Sequence, residues 1–261
     1  MPWCAEYSWT IDAAMKLLLL ADGHIGFEAA RWLLGNYRDD VGLVVTTADN
    51  EIAAMAHGAG VQSLIFHSSG QISDLAASEH LSFDLGILAW WPKIIRPPLL
   101  GLPRRGFVNT HPSLLPYGRG KHYNFWSIVD RVPFGVTLHM VDEGVDTGDI
   151  VAQAELPYDW EDTGESLYRR AREAMLKLFQ ETYPRLRSLD FETRPQHPGA
   201  GTFHRASELE PGSVIDIEGT YLARDLLNLL RARTFSGYPG CSFSDGGDLY
   251  EVRVEIKRKP R

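Results

Sequence analysis

Between residues 16 and 89, four short apolar runs are separated by segments of turn residues and helical spacing, and this alternation constrains the chain most. Leu17 to Ala21 lies in an apolar run at residues 16–21 that is too short for an independent helix. Asp22-Gly23-His24-Ile25-Gly26 follows, and then a helical pattern through Leu34. Val41 to Thr46, Gln62 to Phe66 and Asp84 to Ala89 read as further strands, with a helix near residues 50–59. Strands alternating with helices predict a mostly parallel sheet covered on both faces, an α/β Rossmann-like architecture. The turn at residues 22–26 resembles a strand-to-helix ligand loop but lacks the full three-glycine dinucleotide fingerprint.

Residues 92–105 contain four prolines and are expected to be a loop. Gly106 to Asn109 reads as a short strand and residues 122–130 as a short helix. Gly135 to Val141 and Asp149 to Leu156 read as two strands joined by Asp142-Glu143-Gly144-Val145-Asp146-Thr147-Gly148. Thr163 to Leu189 has helical spacing, with Leu167, Ala171, Ala174 and Leu178 on one face. Residues 191–203 hold Pro195, Pro198, Gly199 and Gly201 and read as a linker. The expected organisation is an extension at 1–14, a main domain at 15–190 and a small β-rich domain at 204–261. That last part should contain short strands, a helix near 220–232 and a final strand near 249–257.

Residues 1–14 lack the basic start and apolar stretch of a signal peptide. They are expected to be peripheral, and translation could begin natively at Met15. No apolar run approaches the ~20 residues needed to span a bilayer, so no membrane partner and a cytoplasmic location are expected. The formal net charge of -8 gives an overall field that disfavours nucleic acid as a partner. Cys4 and Cys241 form no metal spacing and no disulfide framework. His111, His122 and His139 match no helical zinc motif, so no metal is expected.

The chemistry concentrates in Phe107-Val108-Asn109-Thr110-His111-Pro112-Ser113-Leu114-Leu115-Pro116. Asn109 and His111 are two residues apart, so in extended backbone both side chains leave on one side. An amide can stabilise a developing oxyanion and an imidazole can move protons near neutral pH, a useful pair for acyl transfer. In the acidic turn that follows, the glycines let the backbone double back and aim one carboxylate at His111. Such a carboxylate would fix the imidazole tautomer and raise its pKa. Each segment alone also fits a structural turn.

Taken together, Asn-x-His-Pro-Ser-Leu-Leu-Pro and the later Gly-Val-Thr-Leu-His-Met-Val-Asp-Glu-Gly-Val-Asp-Thr-Gly-Asp-Ile resemble the formyltetrahydrofolate-dependent formyltransferases. The resemblance implies catalytic roles for Asn109, His111 and Asp146, with 10-formyltetrahydrofolate as co-substrate. It implies that Leu88, Trp90, Asp142, Gly144 and Val145 frame the pterin. Pro116-Tyr117-x-Arg119-Gly120 followed by Asn124-Phe125-Trp126 is more similar to the sugar N-formyltransferases that act on nucleotide-linked amino sugars. On that likeness Tyr117, Arg119, Lys121 and Tyr123 contact the acceptor, while Trp126 reads as core. The implied acceptor is a 4-amino-4,6-dideoxyhexose such as that of GDP-perosamine, for surface polysaccharide, and a homodimer is compatible with the likeness. A tRNA formyltransferase, a formylfolate hydrolase and a silent ligand-binding module of the same fold remain alternatives. Whether His111 or Asp146 takes the proton is open at this level.

Overall fold

The computed structural model describes residues 15–197 and 199–260; the expected extension at 1–14 lies outside the described residues. The strands β1 (Leu17–Ala21), β2 (Val41–Thr46), β3 (Ser63–Ile65), β4 (Leu85–Ala89) and β5 (Phe107–His111) pair in parallel. A two-residue strand, β6 (Arg119–Gly120), stands outside this sheet. Strands β7 (Gly135–Met140) and β8 (Ile150–Glu155) complete the sheet in antiparallel fashion, giving the order β3-β2-β1-β4-β5-β7-β8.

Helices α1 (Gly23–Asn36), α2 (Glu51–Gly58), α3 (Ser69–Ser78), α4 (Tyr123–Val129) and α5 (Gly164–Arg187) surround the sheet. Helices α1, α2, α3 and α5 each start at a polar cap. The side chains of Asp22, Asn50 and Ser68 accept from the first free N–H groups of α1, α2 and α3. Thr163 and Ser166 cap α5 reciprocally. Leu17 to Leu20 in β1 have no solvent exposure, as a strand covered on both faces requires. One core cluster joins the sheet to α1 and α5 through Leu33, Leu167, Ala171 and Met175. The other joins it to α3 through Leu18, Leu20, Ile72 and Ala76. The sequence reading did not anticipate α3; it buries only Ile72 and Ala76, too few for a clear period. On α5 the buried stripe passes through Met175 and Phe179, and Ala174 is half-buried beside it.

The Pro/Gly-rich stretch after α5 is laid onto the sheet edge rather than hanging free. Arg194 exchanges both backbone hydrogen bonds with Ile150 at the start of β8. Gln196 donates to the carbonyls of Asp146 and Gly148 at 3.0 and 2.7 Å. Thr202 accepts from Gly118, and β9 (Phe203–His204) pairs in parallel with β6.

Beyond it, α6 (Ala223–Arg233) packs on α4 and α5, and β10 (Cys241–Asp245) pairs antiparallel with β11 (Asp248–Val252). The last strand therefore ends at Val252, short of the expected 257. Buried Arg231 anchors α6 by donating to the carbonyls of Asp159 and Asp162 at 2.6 and 2.8 Å. At Gly164 the first turn of α5 meets the end of α6 so closely that a Cβ would lie 2.1 Å from the Ala232 carbonyl oxygen.

Candidate active site

Asn109 and His111 occupy alternate positions of β5 and share one face, as their spacing predicts. Pairing with β7 brings His139 directly opposite Asn109. The β7–β8 turn is held by Asp142, whose Oδ1 accepts from the Gly144 N–H and the Thr147 hydroxyl at 3.0 and 2.7 Å. Asp146 sits in this turn with φ +55°, a left-handed conformation that an L-residue adopts only where its surroundings hold it. Gly120, at φ +89°, donates its N–H to Asp146 Oδ2 at 2.9 Å. A Cβ at Gly120 would lie 2.1 Å from the His204 carbonyl oxygen, so β6 and β9 approach this closely only around a glycine.

Asp146 Oδ1 faces two imidazoles, lying 3.4 Å from His111 Nδ1 and 3.6 Å from His139 Nε2. The tautomers follow from the opposite edges of the rings. His111 Nε2 lies 3.0 Å from the Gly118 carbonyl, which can only accept, so Nε2 carries the hydrogen. His139 Nδ1 lies 2.7 Å from the Met140 carbonyl and carries its hydrogen there. His139 Nε2 then accepts from the Asn109 amide at 3.1 Å. His111 Nδ1 is left with a lone pair facing a carboxylate. Two acceptors at that distance, with no hydrogen between them, form a place for one proton.

Burial lowers the His111 pKa, and this outweighs the raising effect of Asp146. The carboxylate raises the His111 pKa as the sequence predicts, but the expectation is corrected on the tautomer and on the net direction. Gly118, not the carboxylate, selects the His111 tautomer, and the imidazole is held below its ordinary value rather than raised. Desolvation pushes the Asp146 carboxyl up. The two imidazoles beside it, which become cationic when they take a proton, and the Gly120 N–H together overcome it and hold the carboxyl well below the usual carboxylate range.

These side chains open onto a cavity of about 920 Å³. Leu88, Trp90, Asp142, Gly144 and Val145, expected at the pterin, all line it. Of the expected acceptor contacts, Lys121 and Tyr123 line it, whereas Tyr117 and Arg119 do not. The Tyr117 carbonyl accepts from Ser113, and Arg119 lies in β6, where its backbone is paired to Thr202 and β9. Residues 22–26 do not line the cavity either; Asp22 serves as the α1 cap.

The sequence reading gives no site role to His139, Tyr168, Arg172 or Arg233, all of which line this cavity. His139 alternates with apolar Leu138 and Met140, so the two-residue period of β7 was the available signal. Tyr168 and Arg172 are four apart on α5 and share a face, while Arg233 closes α6.

His111, His139 and Asp146 also bring three metal-ligating atoms within 4.8 Å of one another. No zinc spacing in the sequence joined them. A cation there would have to displace the Asn109 amide from His139 Nε2. No helix among the described residues is long and apolar enough to cross a membrane.

Residues 41–183 match the family model described as formyl transferase, and residues 208–258 match the N-formyltransferase dimerization C-terminal domain. A methionyl-tRNA formyltransferase of Synechococcus sp. (strain JA-3-3Ab) is 34% identical over 164 residues, covering 62% of this chain and 50% of that protein. The chain thus spans about half the length of the curated relatives it matches. A sugar N-formyltransferase from a Shewanella species superposes with a TM-score of 0.77 at 20% identity, over 94% of this chain and 99% of the other. An N-formyltransferase from Helicobacter canadensis, solved with folinic acid and dTDP-3-aminofucose, gives a TM-score of 0.67 at 20% identity, over 89% and 85%. At these identities the solved structures establish a shared fold.

Proposed function

The chain belongs to the formyl transferase family, and we propose that it transfers a formyl group from 10-formyltetrahydrofolate to the amine of a nucleotide-linked deoxyamino sugar. The carrying observation is the convergence of Asn109, His111 and Asp146 beside one large cavity. Apolar and aromatic groups with one lysine, Lys93, line that cavity from Leu88 to Ile95, and Tyr168 and Arg172 of α5 and Arg233 of α6 line it elsewhere. The first set suits a pterin and the second a charged acceptor.

Three tasks define the reaction. The acceptor nitrogen must be neutral, its bond to the formyl carbon must form, and the bond from that carbon to the folate nitrogen must break. Asn109 has two amide hydrogens. One is engaged by His139, and the other is available to the formyl oxygen as negative charge develops on it. The His111–Asp146 pair accepts the proton that the amine loses, in the gap between Nδ1 and Oδ1. That proton returns to the folate nitrogen as the old bond breaks, so atoms and charge balance within one turnover. Because the two groups interact at close range, the proton belongs to the pair rather than to either member.

A sugar of the 4-amino-4,6-dideoxyhexose type is the acceptor to assay first, with GDP-perosamine in the panel. The C-terminal part is proposed to pair with a second copy of the chain, which suits its exposed Val214, Leu222 and Leu249. Transfer to an aminoacyl-tRNA is the reading the curated relatives raise. Against it stands a net charge of -8. The test is formyl transfer from 10-formyltetrahydrofolate to a panel of nucleotide-linked amino sugars and to aminoacyl-tRNA, with formate release measured alongside. Turnover only with tRNA, or formate release that needs no amine, would overturn the proposal.

A further inference from the structure

The chain is acidic overall, with a net charge of -8. Yet Lys93, Lys121, Arg172, Arg205 and Arg233 all line the cavity, and its two lining carboxylates, Asp142 and Asp146, both belong to the β7–β8 turn. Cations gathered around one cavity repel each other, and an anion bound there offsets the repulsion.

The individual residues sharpen this. Lys121 and Arg172 form no salt bridge with any of the described residues. The Arg172 guanidinium lies over the Tyr168 ring, 5.8 Å from its centroid, and its Nε is buried without a partner. Arg233 is 7% exposed, and its Nε is likewise buried and unpartnered. Its guanidinium donates through Nη2 to Glu210 Oε1 at 2.5 Å, but the Glu210 side chain is 74% exposed. The pair is therefore asymmetric: a buried cation on a rigid helix end, held by a carboxylate standing in water. Arg231 and the tight approach at Gly164 fix that helix end. An exposed carboxylate contributes little to such a pair and is easily exchanged for a better anion. Lys121 and Arg233 both line the cavity, and both help to lower the pKa of His122, which also lines it.

We propose that Lys121, Arg172 and Arg233 form a clamp for the diphosphate of the acceptor, and that Glu210 occupies Arg233 until the diphosphate displaces it. This rests on the nucleotide-sugar reading of the acceptor and names the groups that select it. Two guanidinium forks from α5 and α6 and an ammonium from the loop between β6 and α4 suit two linked phosphoryl groups better than one. Tyr238, 62% exposed on the cavity wall and in edge contact with Phe235 at 5.0 Å, offers a face for the attached base.

The test uses calorimetric titration of the full chain with UDP, dTDP and GDP, their monophosphates and inorganic pyrophosphate, with folinic acid as a separate probe. At least one nucleoside diphosphate should bind about 10-fold more tightly than its monophosphate. Arg172→Gln and Arg233→Gln should each weaken that binding by about 10-fold. Glu210→Gln should tighten it by about 3-fold, and folinic acid should bind all variants alike. Should Arg233→Gln fail to fold, Arg172→Gln and the exposed Glu210→Gln carry the test. Undiminished diphosphate affinity in the folded arginine variants, or weakened affinity in Glu210→Gln, overturns the clamp. Formyl transfer with unchanged acceptor KM in those arginine variants overturns the clamp and leaves the reaction standing. Charge-dependent diphosphate binding without any formyl transfer supports the clamp and overturns the reaction.

Discussion

Asn109 and His139 lie directly opposite each other on antiparallel strands, and the Asn109 amide donates to His139 Nε2 at 3.1 Å. The Met140 carbonyl holds the other edge of the ring, so His139 can only accept from Asn109 and fixes which way the amide points. Replacing His139 with Leu should therefore lower kcat by about 10-fold or more while leaving KM for the folate nearly unchanged. Losing an oxyanion donor outright costs ~100- to 1000-fold. In an Asn109→Ala background the His139 change should cost little, because the amide it orients is gone. Equal losses in both backgrounds would show that His139 acts by another route.

Asp146→Asn keeps the size of the side chain and an oxygen for the Gly120 N–H, but removes the charge that faces His111 Nδ1. Both substrates should bind normally while kcat falls by ~100-fold or more, as expected for an interaction needed only in the transition state. Steady-state constants for both substrates check this. An unchanged kcat would remove Asp146 from proton handling.

Burial keeps His111 below the ordinary histidine value of 6.5, and burial with Arg233 and Lys121 does the same to His122. The unfolded chain takes up protons at both sites near 6.5, while the folded chain resists them until lower pH. Stability is therefore lost as pH falls below 6.5 towards the folded-state values, and is retained above it. Melting at about pH 7.5 and about pH 5.5 should show a drop that His122→Gln reduces. The acid limb of kcat/KM should lie below 6.5, since His111 acts from its neutral form. A limb above 6.5 would contradict a neutral resting imidazole.

Gly120→Ala would force a methyl group against the His204 carbonyl in a backbone conformation with φ +89°. It should destabilise the protein by about 1–3 kcal/mol and lower kcat more than folate affinity, because the Gly120 N–H anchors Asp146. Thermal melting and folinic acid titration separate the two effects. A variant as stable and active as the parent would mean that β6 and β9 can part without cost.

Local pattern was enough to read much of this protein. The strands from β1 to β4 are short apolar runs bounded by turn residues, and the spacing of Asn109 and His111 in β5 places both on one face. The glycines around Asp146 announced a turn able to point a carboxylate back. Helix α3 was missed because two buried residues carry too little period. What the tertiary structure decided is how segments far apart in sequence meet. The pairing of β5 with β7 sets His139, not another residue, against Asn109. The parallel contact of β6 with β9 turns the Gly120 N–H into the anchor for Asp146 and leaves Tyr117 and Arg119 off the cavity. The docking of α6 on α5 brings Arg233 and Arg172 to one cavity. Side-chain periodicity reports which face a residue takes within its own element. Register and docking depend on contacts between elements, and a single sequence carries no local trace of them.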